Sequence, residues 1–295
     1  MLRFLLKVCI FICFMAVIDL SAGNIFKFRN YVKSATMGKV NHMMNDFSEE
    51  VLILGSSRAA HHYNSKIFED TLSATTYNAG MEGNGILMAS AFYDAALKTH
   101  KPKLIIYEFT PQYYLQKNDN LQYIKRLNPY FDREEVKNLV STISPLENVK
   151  MQSSLYRLNS YLLGFVANLI LNRETNGYNG YSPLEGEITY EPQMPDEKNF
   201  ETDSLKLLIF EDFIKKVKKD RIRMIFTMSP IYDYPYNNEN LRILAQKYDI
   251  PVLNHIQDTL FIRNKHLFYD RTHLNNLGAD SISKIITHEI KYSLN

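Results

Sequence analysis

The sequence predicts an α/β fold: a parallel sheet covered by helices on both faces, behind an N-terminal membrane helix and interrupted by an inserted lid-like segment. Three observations predict it. Short, continuous apolar runs recur at strand length, as buried parallel strands require. Helical stretches separate them, the alternation that gives a parallel sheet with helices on both sides. An apolar stretch of membrane-spanning character opens the chain.

That first stretch runs from Phe4 to Leu20, broken only by Lys7 near its start and Asp19 near its end. It is longer than the apolar core of a cleavable signal. Ser21-Ala22-Gly23 would serve as a cleavage site, so residues 1–23 read as an anchor or a signal, with a retained anchor preferred because Lys7 can snorkel to the interface. Arg3 and Lys7 precede the span and Lys27, Arg29, Lys33 and Lys39 follow it, a count that places the body inside. Long domains translocate regardless of such charges, and the chemistry below points outside.

Residues 24–50 read as a polar connector with some helical content. Val51-Leu52-Ile53-Leu54 is the first strand and ends in Gly55-Ser56-Ser57. Thr75-Thr76-Tyr77 follows, bounded by Asn78-Ala79-Gly80, then a helix from about Ile86 to Thr99 and the strand Leu104-Ile105-Ile106-Tyr107. Residues 111–200 break the rhythm with Tyr, Asn and Pro, the turn pairs Asn176-Gly177 and Asn179-Gly180, and an apolar helix over Tyr156–Asn172. This reads as one insertion into a domain spanning 51–295. Alternation then returns: a helix at Ser204–Lys219, a strand at Arg223–Thr227 ending in Ser229-Pro230, a helix at Asn238–Tyr248, a strand at Pro251–Asn254, and a last helix over Asn275–Tyr292.

Composition removes several function classes. Lys+Arg 34 against Asp+Glu 32 leaves a net charge of +2, with no electrostatic footprint for nucleic acid. Cys9 and Cys13 both lie in the N-terminal apolar stretch, so the body has neither a disulfide framework nor a cysteine metal site. There is no Gly-Lys-Ser/Thr phosphate loop, and no cofactor or metal is expected.

Three strand-end loops hold chemistry-bearing residues, where open α/β sheets bind ligands. Ser57 in Gly55-Ser56-Ser57-Arg58 stands between a strand and a helix start, where first-turn N–H groups also point. Asp270-Arg271-Thr272-His273 lets a carboxylate reach the Nδ1 of a histidine across one turn, leaving Nε2 as a general base. Asn78-Ala79-Gly80-Met81-Glu82-Gly83-Asn84-Gly85 is a glycine turn that allows close backbone approach. Taken singly, each also reads as an ordinary cap or turn.

Together these residues resemble the SGNH/GDSL hydrolase family, most closely its membrane-tethered branch in Bacteroidetes, and more distantly the D-alanyl-transfer family of Gram-positive walls. The resemblance covers roughly residues 50–110 and 204–292. It implies a three-layer flavodoxin-like parallel sheet and a triad of Ser57, His273 and Asp270. It also implies an oxyanion N–H from Gly80; Asn84 and Arg58, beside these blocks, are the further candidates for oxyanion or substrate contact. Two positions depart from the pattern. Ser56 replaces an Asp, and Tyr107-Glu108-Phe109-Thr110 stands where a Gly-x-Asn should supply an oxyanion donor, a loss worth about 10²–10³ in rate if unreplaced. Asn84 or Thr110 is the candidate replacement. The implied function is a serine esterase or O-acyltransferase acting on an acylated envelope glycan or small ester from a periplasmic or extracytoplasmic position. A catalytically weak relative that binds polysaccharide or a partner protein is the alternative.

Overall fold

The computed structural model describes residues 1–28, 35–110, 115–117, 120–159, 177–192, 201–234 and 239–294. In chain order its elements are α1 (Leu2–Phe28), α2 (Ala35–Asn41), a π turn (His42–Asp46), β1 (Val51–Leu54), α3 (Ser57–His62), α4 (Ser65–Leu72) and β2 (Thr76–Asn78). There follow α5 (Ile86–Ala96), β3 (Leu104–Glu108), α6 (Asn120–Ile124), a 3₁₀ turn (Lys125–Tyr130), α7 (Glu134–Ile143), α8 (Pro145–Lys150) and α9 (Ser154–Asn159). The chain closes with α10 (Ser204–Lys219), β4 (Arg223–Met228), α11 (Glu239–Tyr248), β5 (Val252–Asn254), a 3₁₀ turn (Lys265–Leu267) and α12 (Asn276–Leu294). They group into two units: residues 43–123 with 175–295, and residues 1–42 with 124–174.

The larger unit is the expected α/β sheet. Its five strands are all parallel in the order β2-β1-β3-β4-β5, the flavodoxin-like order. Register explains why the strands lack polar alternation. Ile53, Ile106 and Ile225 pair across β1, β3 and β4 and share a core with Tyr63, Phe68, Ile282, Ile286 and Ile290. One residue on, Leu54, Tyr107 and Phe226 pair in the same way. Successive side chains point to opposite faces, so this second row meets the other layer, where Tyr107 packs on Phe210, Phe213 and Phe226. Helices α3, α4 and α12 cover the first face, and α5 and α10 the second.

Two stretches differ from their sequence reading. The connector is largely helical and joins the core: Met43, Met44 and Phe47 are buried. The insertion does not run unbroken from 111 to 200. Residues 177–192 return to the larger unit, where Asn179 O accepts Asn78 N–H at 2.9 Å, Ala60 O accepts Ser182 N–H at 2.9 Å, and Tyr181 and Ile188 are buried. Backbone pairing with β2 and α3, distant in sequence, holds this segment, which its turn-rich composition could not reveal. Asn176 and most of the apolar stretch 156–172 lie outside the described residues.

The smaller unit contains α1, α2 and the helices α7, α8 and α9 of the insertion. From Leu2 to Asn24, α1 has mean hydropathy 2.3 and no buried residues, long and apolar enough to cross a membrane.

Candidate active site

All five strands end at one edge, and the candidate residues gather there. Gly55 leaves β1 at φ +145°, and a Cβ there would lie 2.9 Å from Ala59 Cβ and from Glu108 O. Only glycine lets the chain turn this closely into α3. Ser57 opens that helix, so its N–H is among the first-turn donors without an intrahelical partner.

Across the edge, the loop before α12 delivers Asp270 and His273. His273 Nε2 lies 2.8 Å from Ser57 Oγ. Its Nδ1 faces Asp270 Oδ2 at 2.9 Å and Oδ1 at 3.0 Å. A carboxylate can only accept, so the ring proton sits on Nδ1 and Nε2 is left to accept from Ser57. Partial burial works to raise the Asp270 carboxyl. The His273 hydrogen bond, the His273 charge and the backbone N–H groups of Thr272 and His273 outweigh it and hold the pKa down at about 2. The side chains of His273 and Asp270 are 21% and 33% exposed, which leaves the dyad open to a substrate.

The other named residues lie close by with different partners. Gly80 packs on α3, where a Cβ would come within 2.6 Å of Ala59 Cβ. Its N–H donates to Asn78 Oδ1 at 3.0 Å, so that donor is already engaged. Asn78 is fully buried, and its Nδ2 donates to the carbonyls of Ala59 and Tyr63 at 2.7 and 2.8 Å, clamping the end of α3 to β2. Asn84 donates from Nδ2 to Glu82 O at 2.9 Å, while its Oδ1 is buried without a partner. Thr110 Oγ1 sits 2.8 Å from Ser56 Oγ, a hydroxyl pair at the position of the missing donor.

Arg58 is corrected by the structure from a substrate contact to a buried strut. It is 1% exposed. Its Nε donates to Glu108 Oε1 at 3.1 Å, and its Nη2 donates to the Ser229 carbonyl and, at 2.8 Å, to Ser229 Oγ. The reason is electrostatic. Glu108, at the end of β3, is fully buried, and Arg58 is the cation that faces it. Glu108 also accepts from Tyr63 Oη, from Thr227 Oγ1 at 3.1 Å, and from Ser229 N and Oγ at 3.2 and 2.7 Å. The Glu108 carboxylate is thus held by donors on both of its oxygens beneath the site.

Two histidines escaped the sequence reading. His62 is fully buried and bridges α3 to the triad loop: Leu274 N–H donates to its Nε2 at 2.9 Å, so its proton is on Nδ1, 2.7 Å from Ser229 Oγ. Burial, followed by the charges of Arg58, His273 and His61, pushes its pKa well below the usual histidine range and keeps it neutral. His61 sets its ring edge-to-face on His273, centroids 5.6 Å apart, with Nδ1 at Ser182 O (2.5 Å) and Nε2 at the Glu82 carboxylate. A signal was present, since His61 lies four residues after Ser57 and so shares its helix face.

No family model matches the sequence, and no curated protein matches it. Among solved structures the chain is similar to one described as an acylhydrolase from Bacteroides fragilis, at 12% identity and TM-score 0.42, covering 90% of this chain and 98% of that one. It is also similar to a GDSL-like lipase from Bacteroides thetaiotaomicron, at 12% identity and TM-score 0.38, covering 82% and 88%. A third is a two-domain esterase active on acetylated mannans, at 15% identity and TM-score 0.38, covering 86% of this chain and 52% of that one.

Proposed function

We propose that this protein is a serine-dependent esterase or O-acyltransferase of the SGNH/GDSL type, held at a membrane by α1. The observation that carries it is the chain Ser57 Oγ–His273 Nε2–Asp270, with the His273 proton fixed on the Asp270 side. His273 takes the Ser57 proton as Oγ attacks an ester carbonyl, and the imidazolium formed faces the ionised Asp270. The Ser57 N–H receives the developing oxyanion. With the Gly80 N–H engaged by Asn78, the second donor falls to the Ser56–Thr110 hydroxyl pair or to the remaining Nδ2 hydrogen of Asn84. His273 then returns its proton to the leaving alcohol. Water completes hydrolysis, or a sugar hydroxyl completes transfer, through the same base. Neither route needs a metal or cofactor.

The substrate class is an acylated envelope glycan on the extracytoplasmic side. The apolar α1, the open dyad and the family resemblance of the sequence blocks support it. The test is fluorophosphonate labelling of the full chain beside Ser57→Ala and Ser56→Ala. Labelling lost only in Ser57→Ala supports the reading. A folded but unlabelled wild type rejects it in favour of a binding protein that keeps the fold, with the engaged Gly80 N–H as the physical reason.

A further inference from the structure

The end of α1 is built into the insertion. Asp19 Oδ1 accepts from Ser153 Oγ at 2.7 Å and Leu155 N–H at 2.8 Å, and its Oδ2 accepts from Ser154 N–H at 3.0 Å. Ser154 and Leu155 supply first-turn N–H groups of α9, whose own N-cap Ser153 accepts Tyr156 N–H at 3.2 Å, so a residue of another helix takes the donors that this cap leaves over. One turn further along α1, a Cβ at Gly23 would run into Ser154 Oγ. Cleavage after Ala22 would take the Asp19 carboxylate away from α9. Residues 2–18 span about 26 Å as a helix, close to the thickness of a hydrocarbon core of about 30 Å. Asp19, the first acidic residue of the chain, therefore falls at the boundary and fixes α9 at that level.

Beside this junction the unit exposes apolar side chains. Leu146 and Val149 of α8 are 64% and 68% exposed, and Leu155 and Tyr156 of α9 are each 37% exposed. Among the described residues of this unit outside α1, these are the exposed large apolar ones, and all fall within residues 146–156. In the larger unit such residues are spread along the sequence from 178 to 292. The patch also carries polar tips. Tyr156 Oη donates to Glu147 Oε2 at 2.8 Å, and Lys150 lies 5.7 Å above the Tyr156 ring, the amphipathic pattern of residues at a headgroup boundary.

We propose that α8 and α9 rest on the bilayer, with Leu146, Val149, Leu155 and Tyr156 set into its interface beside the emerging end of α1. This rests on α1 being a membrane helix, and the test separates the two claims. The chain contains no Trp, so a single introduced Trp reports its own surroundings. The full chain is reconstituted in phosphatidylethanolamine–phosphatidylglycerol vesicles, with lipids brominated either near the headgroup or near the chain end. Ile12→Trp reports on α1, Val149→Trp on the patch, and Leu208→Trp on an exposed site of the larger unit. A side chain sunk about 5–10 Å into the boundary loses roughly half or more of its emission to shallow bromines. That loss is expected for Val149→Trp, deep quenching for Ile12→Trp, and none for Leu208→Trp. Quenching of Ile12→Trp with Val149→Trp behaving like Leu208→Trp overturns the proposal and leaves the anchor standing. A Val149→Trp emission that is blue-shifted but unquenched by bromine also overturns it, since a second copy then covers the patch. Three unquenched variants reject the anchor and the proposal together.

Discussion

Replacing Arg58 by Met separates a residue that binds substrate from one that holds the floor of the site. The Arg58 and Glu108 side chains are 2% and 0% exposed. Met fills a similar volume but removes the cation that faces Glu108 and three hydrogen bonds, two of them to Ser229. Glu108 keeps hydrogen bonds from Tyr63, Thr227 and Ser229, yet its charge is left buried without a counterion. Breaking a buried pair by removing one partner costs about 3–5 kcal/mol. In a domain of this size each kcal/mol shifts Tm by about 2–4 °C, so thermal melts at pH 7 should fall by about 6–20 °C. Arg58→Met/Glu108→Gln removes both charges and should recover more than half of that loss. Lys66→Met breaks the exposed Lys66–Asp70 pair, whose side chains are 56% and 62% exposed, and should leave the melting temperature close to that of wild type. An Arg58→Met protein that melts within about 2 °C of wild type while KM rises would refute the reasoning and return Arg58 to the substrate.

Two further predictions concern the histidines and their partners. Asp270→Asn keeps the fold but presents an amide to His273, and kcat for a soluble ester should fall by about 10⁴; an unchanged kcat rejects Asp270 as the residue that orients the base. Because the Asp270 carboxyl is depressed to about 2, its stabilisation is present above its ordinary value near 4 and is lost as pH falls through about 2, so the variant should lack that part of the acid transition. The pKa of His62 is also lowered by folding, which makes the unfolded chain the better proton binder below about pH 6.5. Stability should therefore decline below that pH by up to about 1.4 kcal/mol per unit, and urea titrations of His62→Gln should show a shallower slope between pH 6.5 and 5. An identical slope in the two proteins means that His62 is not held neutral.

The sequence by itself determined the α/β alternation. Strands buried on both faces must be apolar through their middle, and the runs at Val51–Leu54, Leu104–Tyr107 and Met224–Phe226 are written that way. It also determined which residues could form a catalytic chain, since Asp270 and His273 lie within one turn and Ser57 lies one residue past a strand-end turn. These are local properties, fixed by spacing and side-chain chemistry along a few residues. Tertiary structure decided the partners. Arg58 finds Ser229 across 171 residues, His62 finds it across 167, and the Ser182 carbonyl reaches His61 across 121. Whether a polar side chain meets substrate or is buried against an opposite charge depends on what the rest of the chain places beside it. Gly80 shows the same limit at short range: its spacing allowed an oxyanion donor, and the side-chain Oδ1 of Asn78, two residues away, engages the N–H. A buried donor is paired with the nearest well-placed acceptor, and only the folded chain fixes which one that is.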